Sequence, residues 1–221
     1  MRDSFVAGRG GAGLNPAEVL ASGSRELDKL TAKLIATGGG RVVVTWQTGK
    51  DDADRVAHEI RSAGGTCETL HYDALKPAAE QLALLANNPT HAYYFATPTI
   101  FRPQAEILAA ERFNQFLAVY VDGFWDLSLA LRSRRPSLSL FYPSSIYVAE
   151  RPEGMTEYAM AKAAGEALCA DINASLGPTH VTVSRLPRLP TDQTASVAVT
   201  EMAHPTETML PIVREVQSWP R

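Results

Sequence analysis

The chain has 221 residues, of which 45% are hydrophobic and 20% are charged, with a net charge of −3 at pH 7. This composition is typical of a globular protein with a sizeable core, and the weak negative charge argues against nucleic acid or an anionic membrane as a partner. The two cysteines, Cys67 and Cys169, have neither metal-ligand nor disulfide spacing, so we expect free thiols and no metal site. No apolar run is long enough to span a membrane, and the N-terminus lacks the apolar core of a signal peptide, which predicts a cytoplasmic protein.

The N-terminal stretch is rich in glycine. Residues 8–13 read Gly-Arg-Gly-Gly-Ala-Gly, a literal G-x-G-x-x-G. Such a motif holds a pyrophosphate when a strand precedes it and a helix follows directly, but only residues 4–7 are available as a strand, and the next clear strand begins near Arg41. We therefore interpret residues 1–15 as a flexible tail or linker, and residues 16–221 as one domain.

The rest of the chain alternates between strand-like and helix-like patterns. The first half predicts strands at residues 19–21, 41–46, 68–72 and 92–96, separated by a helix that ends before residues 38–40 and by helices at 51–63 and 77–86. The second half predicts a long helical region, a strand at 138–142, a helix that ends near 176, a strand at 181–184 and a last helix at 206–216. This alternation predicts an α/β fold: a single domain with a doubly wound, Rossmann-like parallel sheet.

Polar and small residues follow most of the predicted strands. In such a sheet the ligand lies beyond the carboxyl ends of the strands. The segments that fall at that edge are residues 22–25, 46–49, Asp73, 96–97, Ser145 and 187–191. We expect them to line one ligand site.

Three of the residues suggest a reaction. The apolar run at 138–142 leads directly to Ser145, and Tyr158 and Lys162 follow on the next predicted helix. Residues four apart on a helix share a face. The serine hydroxyl, the phenol and the ammonium can therefore converge on one substrate oxygen.

The spacing of Ser145, Tyr158 and Lys162 on this succession of strands and helices resembles the short-chain dehydrogenase/reductase family, over the chain from about residue 17 onward. The resemblance implies that Ser145 orients a substrate carbonyl, that Tyr158 transfers the proton, and that Lys162 lowers the pKa of Tyr158 and holds the nicotinamide ribose. A free tyrosine has a pKa of about 10, and a nearby cation lowers it toward the working pH. The implied activity is a ketoreductase-like hydride transfer to a ketone or β-ketoacyl group.

The resemblance also implies a nicotinamide cofactor. No acidic residue ends the second predicted strand, and Arg25 and Lys50 lie nearby, so we expect NADP, with NAD the less favoured cofactor. Besides Tyr158 and Lys162, the implied cofactor-binding residues are Ser24, Arg25, Leu27, Trp46, Asp73, Ala96, Thr97, Pro187 and Thr191.

An alternative function follows from departures in the nucleotide half. Ser22, Glu26 and Asp28 stand where the family has the three glycines of its phosphate loop, and carboxylates there would repel phosphate. Residues 96–98 read Ala-Thr-Pro instead of Asn-Ala-Gly, and Tyr120 stands where the family has a helix asparagine. The alternative is a reductase-like domain that has lost cofactor binding and serves as a scaffold or docking module, for example within a multidomain synthase.

The segment after the last predicted strand is short, which predicts a short substrate lid and an open site. An open site suits a large or carrier-bound carbonyl substrate as well as a small molecule. The alanine-rich run at 159–167 would permit close helix packing, and family members often pair through these helices. A homodimer is therefore a further hypothesis.

Overall fold

The protein is built around one parallel sheet. The computed structural model describes residues 18–22, 26–100, 107–189 and 203–219, with backbone only for residues 18–22 and Glu26. Its strands run in the spatial order β3-β2-β1-β4-β5-β6, and every neighbouring pair is parallel. This is the strand order of a doubly wound α/β sheet, so the predicted fold class is confirmed. The strands are β1 (Glu18–Ser22), β2 (Arg41–Trp46), β3 (Thr66–His71), β4 (His91–Tyr94), β5 (Leu138–Ser145) and β6 (Thr179–Leu186).

Helices connect the strands and cover both faces of the sheet. They are α1 (Glu26–Thr37), α2 (Lys50–Ser62), α3 (Ala78–Leu82), α4 (Ala110–Leu117), α5 (Phe124–Arg134), α6 (Tyr147–Glu150), α7 (Thr156–Ser175) and α8 (Pro205–Gln217). A π-helical segment, Ala118–Gly123, joins α4 to α5. Among the helices described, none combines the length and the apolar character needed to cross a membrane.

The core lies on both sides of the sheet, which explains why the strands are so apolar. All eight residues of β5 are buried. Successive side chains of a strand point to opposite faces: Leu140 belongs to the core cluster of Phe116 and Leu127 on one face, whereas Phe141 belongs to the cluster of Val56 and Val213 on the other. Strands covered on both faces read as continuous apolar runs.

Strand β5 is longer than the sequence predicts, and the difference matters for the site. The prediction ends this strand at Tyr142, before Pro143, but the strand continues to Ser145. Proline has no backbone N–H to donate. Its position is tolerated because the pairing of β5 with β4 ends at Phe141, so that β5 pairs only with β6 beyond that point.

Several predicted features lie outside the described residues. They include the tail at 1–15 with the run from Gly8 to Gly13, most of the predicted lid, and the candidate residues Ser24, Arg25 and Thr191. Within the described residues, the predicted helix at 77–86 is shorter, at Ala78–Leu82, and the short helix α6 is an addition that the sequence did not predict.

Candidate active site

Strand β5 delivers Ser145 to the carboxyl edge of the sheet. Ser145 pairs with Leu186, the last residue of β6. Its hydroxyl oxygen accepts a hydrogen bond from the backbone N–H of Tyr147, at 3.2 Å. The same hydroxyl acts on the Tyr158 phenol and favours a lower pKa for it. These contacts fix the serine side chain between the start of α6 and the start of α7.

Tyr158 sits in an aromatic cluster on the first turn of α7. Its ring packs edge-on against the rings of Phe116, Tyr120 and Tyr147, with centroids 5.8, 5.8 and 6.1 Å away. Burial raises the pKa of Tyr158 to about 12, although the effect of the Ser145 hydroxyl offsets part of this rise. The phenol therefore keeps its proton at neutral pH and is suited to act as an acid.

Lys162 lies one helical turn beyond Tyr158 and is 5% exposed. Its ammonium group donates a hydrogen bond to the carbonyl oxygen of Pro143, at 2.6 Å. It also lies 3.8 Å from the centre of the Tyr120 ring. Burial lowers the pKa of Lys162 to about 7, because the charged form loses its hydration.

The expectation that Lys162 lowers the pKa of Tyr158 is wrong for the protein as the structure shows it. The ammonium is directed at the end of β5 and at the face of Tyr120, and its distance to the centre of the Tyr158 ring is 6.0 Å. Burial dominates the pKa of Tyr158 and raises it. The two residues do share one face of α7, as predicted.

A half-buried carboxylate supports the charge of Lys162 from the next turn of α7. Glu166 accepts hydrogen bonds from the guanidinium of Arg185, at 2.8 and 2.7 Å, and from the hydroxyl of Ser144. The bond from Arg185 is the main reason that the pKa of Glu166 is lowered. The Glu166 charge raises the pKa of Lys162, against the larger effect of burial. No pattern in the sequence predicts this network.

Tyr120 lies in the π-helical segment and forms the floor of the site. It is fully buried, and its hydroxyl is hydrogen-bonded to the hydroxyl of Thr97. A π-helical turn leaves backbone groups without their usual partner. Here the hydroxyl of Tyr94 donates to the carbonyl oxygen of Val119, at 2.7 Å, which holds the segment against β4.

A cleft of about 170 Å³ opens above these residues. It brings together the three predicted catalytic residues and several of the predicted cofactor-binding residues. The predicted residues that line it are Leu27, Ala96, Thr97, Ser145, Tyr158, Lys162 and Pro187. We call it the first cleft.

A second cleft, of about 180 Å³, adjoins the first and shares the wall formed by Phe95, Ala96 and Thr97. Trp46 and Asp73 line it, as predicted for one end of a dinucleotide. Asp73 also stabilises a turn, because its carboxylate accepts a hydrogen bond from the N–H of Leu75 at 3.0 Å. The two clefts form a trough along the carboxyl edge of the sheet.

The region between the clefts and α1 fits a dinucleotide less completely. Asp28 is 1% exposed, and its carboxylate accepts a hydrogen bond from the N–H of Lys29 at 2.8 Å. The ammonium of Lys50 pairs with the carboxylate of Asp54. The two ends of the trough are the candidate positions for a nicotinamide ribose and an adenosine, and the candidate residues Ser24 and Arg25 lie outside the described residues.

Sequence reasoning missed two residues of the first cleft. Tyr147 begins α6, and its ring contacts Tyr158. Arg188 follows Pro187, and its guanidinium lies over the Tyr147 ring. The segment at 187–191 is predicted at this edge as a whole, but no pattern distinguishes Arg188 within it from a solvated surface arginine.

Comparison with solved structures gives several with the same architecture. A 3-oxoacyl (acyl-carrier-protein) reductase from Agrobacterium tumefaciens with NADP bound is 18% identical, with a TM-score of 0.79 over 91% of this chain and 87% of that chain. An alcohol dehydrogenase from the archaeon Thermococcus sibiricus, complexed with 5-hydroxy-NADP, is 18% identical, with a TM-score of 0.78 over 92% and 91%. A short chain dehydrogenase from Burkholderia cenocepacia in complex with NADP is 19% identical, with a TM-score of 0.78 over 90% of each chain.

No protein-family model matches the sequence, and a search of curated proteins gives no match. The structural likeness is close over nearly the whole chain, whereas the sequence identity is low. It therefore establishes the fold of the chain, and the activity has to be argued from the site.

Proposed function

We propose that this chain, which has the short-chain dehydrogenase/reductase fold, is an NADP-dependent reductase of a ketone or β-ketoacyl substrate. The observation that carries the proposal is the convergence of Ser145, Tyr158 and Lys162 in the first cleft. Ser145 and Tyr158 line the same cleft, and Lys162 lies one turn further along α7. An acid, a carbonyl anchor and a buried cation are the groups that carbonyl reduction requires.

Each residue has a distinct role in this proposal. The nicotinamide cofactor, when bound, supplies the hydride. Tyr158 donates its proton to the carbonyl oxygen, and its pKa of about 12 keeps that proton available at neutral pH. Ser145 holds the same oxygen by a hydrogen bond. The ammonium of Lys162 donates hydrogen bonds to the nicotinamide ribose.

The end of β2 supports NADP over NAD. Residues 46–49, between the strand and α2, contain no carboxylate that would accept a ribose 2′-hydroxyl, and Lys50 follows directly. A dissociation constant for NADPH about ten-fold or more below that for NADH is the expected result. Equal or tighter binding of NADH would contradict the choice of NADP.

Tyr158→Phe tests the proposed chemistry. We expect this variant to reduce a panel of ketones and β-ketoacyl thioesters on the order of 10²- to 10⁴-fold more slowly than the wild type, because the acid is lost. Its melting temperature should be unchanged. Tyr147→Phe is the matched control, since it also removes a hydroxyl from the first cleft but keeps its ring contacts. Full activity of Tyr158→Phe would contradict the proposed role.

A second candidate function is a docking module without cofactor. The observation that favours it is the buried carboxylate of Asp28 at the start of α1, where the negative charge opposes a diphosphate. The ion pair between Lys50 and Asp54 also reduces the positive charge available to a 2′-phosphate. Saturable binding of NADPH would exclude this candidate.

The proposed homodimer uses the outer face of α7. Part of the alanine-rich run is committed to the core of the same chain, because Ala159 and Ala161 are buried. Ala167 is exposed and Ala164 is half-buried, so the outer face remains lined with small residues. Sedimentation equilibrium is expected to give twice the mass of the chain.

A carrier-bound substrate is part of the proposed reductase function, because the first cleft opens at the edge of the sheet.

A further inference from the structure

Arg188 lies at the rim of the first cleft, directly after Pro187. Its guanidinium carbon is 5.4 Å from the centre of the Tyr147 ring. The Tyr147 ring is in turn edge-on to the Tyr158 ring, with 6.1 Å between their centroids. One aromatic ring therefore separates the guanidinium from the phenol that donates the proton.

The guanidinium of Arg188 retains its capacity to bind an anion. Its ion-pair partner is the exposed carboxylate of Glu150, and the 3.8 Å between the two groups is too long for a hydrogen bond. Within the part of the chain that the structure describes, the guanidinium donates no hydrogen bond. Its planar array of N–H donors matches a carboxylate in two parallel hydrogen bonds. The guanidinium lies over the Tyr147 ring at the rim of the cleft, and its planar fork loses little conformational freedom for each hydrogen bond formed.

The charge distribution of the first cleft favours an anionic ligand. Among its described lining residues, those with a charge are Lys162 and Arg188, and both are cationic. Lys162 is buried and directed at the carbonyl oxygen of Pro143, so Arg188 is the cation that faces the opening. Leucine, isoleucine and aromatic side chains form much of the remaining wall.

We propose that Arg188 binds a carboxylate of the substrate while the carbonyl of the same molecule lies against Ser145 and Tyr158. The substrate class is then an oxo acid, in which a short apolar segment separates the two groups and passes along the Tyr147 ring. This inference rests on the reductase function proposed above. It adds the substrate class and names Arg188 as the residue that determines it.

Calorimetric binding of unreactive ligands tests the subsite without catalysis. Hexanoate and hexanamide are titrated into the protein with and without NADP⁺, because the two ligands differ in charge but scarcely in shape. We expect hexanoate to bind the wild type on the order of ten-fold more tightly than hexanamide. Arg188→Met keeps an unbranched apolar stem and is expected to abolish the preference, whereas Arg188→Lys keeps part of it. Equal binding of the two ligands to the wild type would overturn the proposal.

Turnover and cofactor binding complete the test. Straight-chain oxo acids and their methyl esters serve as substrates, and Arg55→Met, which changes an exposed arginine of α2, is the control. Arg188→Met should raise the KM for the acids on the order of ten-fold and leave the KM for the esters unchanged. The same guanidinium chemistry suits a cofactor phosphate, so a weaker NADPH affinity in Arg188→Met would overturn the assignment to substrate. If the wild type does not bind NADPH at all, the reductase function itself is refuted. This result is distinct from a failure of the Arg188 subsite alone.

Discussion

The ammonium group of Lys162 lies over the face of Tyr120, 3.8 Å from the centre of the ring. The face of an aromatic ring carries partial negative charge and attracts a cation, most strongly where water is excluded. Tyr120 is itself held by a hydrogen bond to Thr97 and by the π-helical segment. In this chain an aromatic ring thus occupies the position where the family resemblance implies an asparagine, and it supports the charged state of the lysine.

The ring of Tyr120, rather than its hydroxyl, is predicted to matter for activity. Charged Lys162 is needed to bind the nicotinamide ribose in the proposed function, so kcat/KM should fall as the pH rises through the pKa of Lys162, which is about 7 in the free protein. Loss of a buried cation–π contact costs up to about 2 kcal/mol. Tyr120→Leu should therefore move this fall to lower pH by about one pH unit.

Tyr120→Phe is the matched control, because it keeps the aromatic face and removes only the hydroxyl. Its pH profile should coincide with that of the wild type. The pH dependence of kcat/KM reports the groups of the free enzyme and is the measurement to make. An unshifted profile for Tyr120→Leu, in a variant whose circular dichroism is native, would show that the ring does not support the lysine.

Lys162→Met is predicted to stabilise the fold while abolishing activity. The pKa of Lys162 is lowered from 10.5 to about 7 by burial. Between these two values the unfolded chain binds the proton and the folded chain does not. The free energy of unfolding of the wild type should therefore rise with pH in this window, by at most about 1.4 kcal/mol per pH unit. Below pH 7 the cost of burying the charge is present in full.

The methionine variant should accordingly be more stable than the wild type by roughly 1–3 kcal/mol at pH 6, with a smaller difference at pH 8.5. Urea unfolding at the two pH values measures this. Lys33→Met provides the control, because Lys33 is a half-exposed lysine paired with Glu59 and its replacement should change stability by less than about 0.5 kcal/mol. If Lys162→Met is less stable than the wild type at pH 6, burial of the Lys162 charge does not destabilise the fold and the prediction is wrong.

Gly165→Ala is predicted to destabilise the protein, although it places a better helix former within α7. A Cβ atom at this position would lie 1.9 Å from the hydroxyl oxygen of Tyr142 and 2.4 Å from its ring. The helix would have to move away from β5, at a cost of about 1–3 kcal/mol. Without this contact the same change inside a helix would stabilise by up to about 1 kcal/mol. Thermal unfolding therefore distinguishes the two cases by sign, and a raised melting temperature would show that α7 does not pack so closely on Tyr142.

The alternation of elements could be predicted from the sequence because each element carries a strong local signal. The run Val42, Val43 and Val44 is typical of a strand covered on both faces, and the structure buries all three residues. The shared face of Tyr158 and Lys162 follows from helical periodicity alone. The placement of Ser145 follows from the rule that the carboxyl ends of parallel strands meet at one edge.

The details of the site could not be predicted, because they depend on contacts between segments distant in sequence. The π-helical segment at Ala118–Gly123 has no sequence signature, and its hydrogen bond from Tyr94 joins residues 25 positions apart. The direction of the Lys162 ammonium depends on the carbonyl oxygen of Pro143. The sequence predicts that β5 ends at Tyr142, so it does not predict that Pro143 belongs to the strand. The pKa of Tyr158 was expected to fall and instead rises, because burial in the aromatic cluster outweighs a cation directed elsewhere.

A calorimetric titration of NADPH into the wild-type protein tests the central claim most directly, since the proposed reductase must bind its cofactor in the trough between Trp46 and Lys162. We predict saturable binding of one NADPH per chain with a dissociation constant on the order of 1–100 μM, weakened in the variant Lys162→Met. Quenching of tryptophan fluorescence should accompany binding, because Trp46 lines the second cleft. The absence of saturable heat and quenching up to about 1 mM NADPH would contradict the account and favour the docking module.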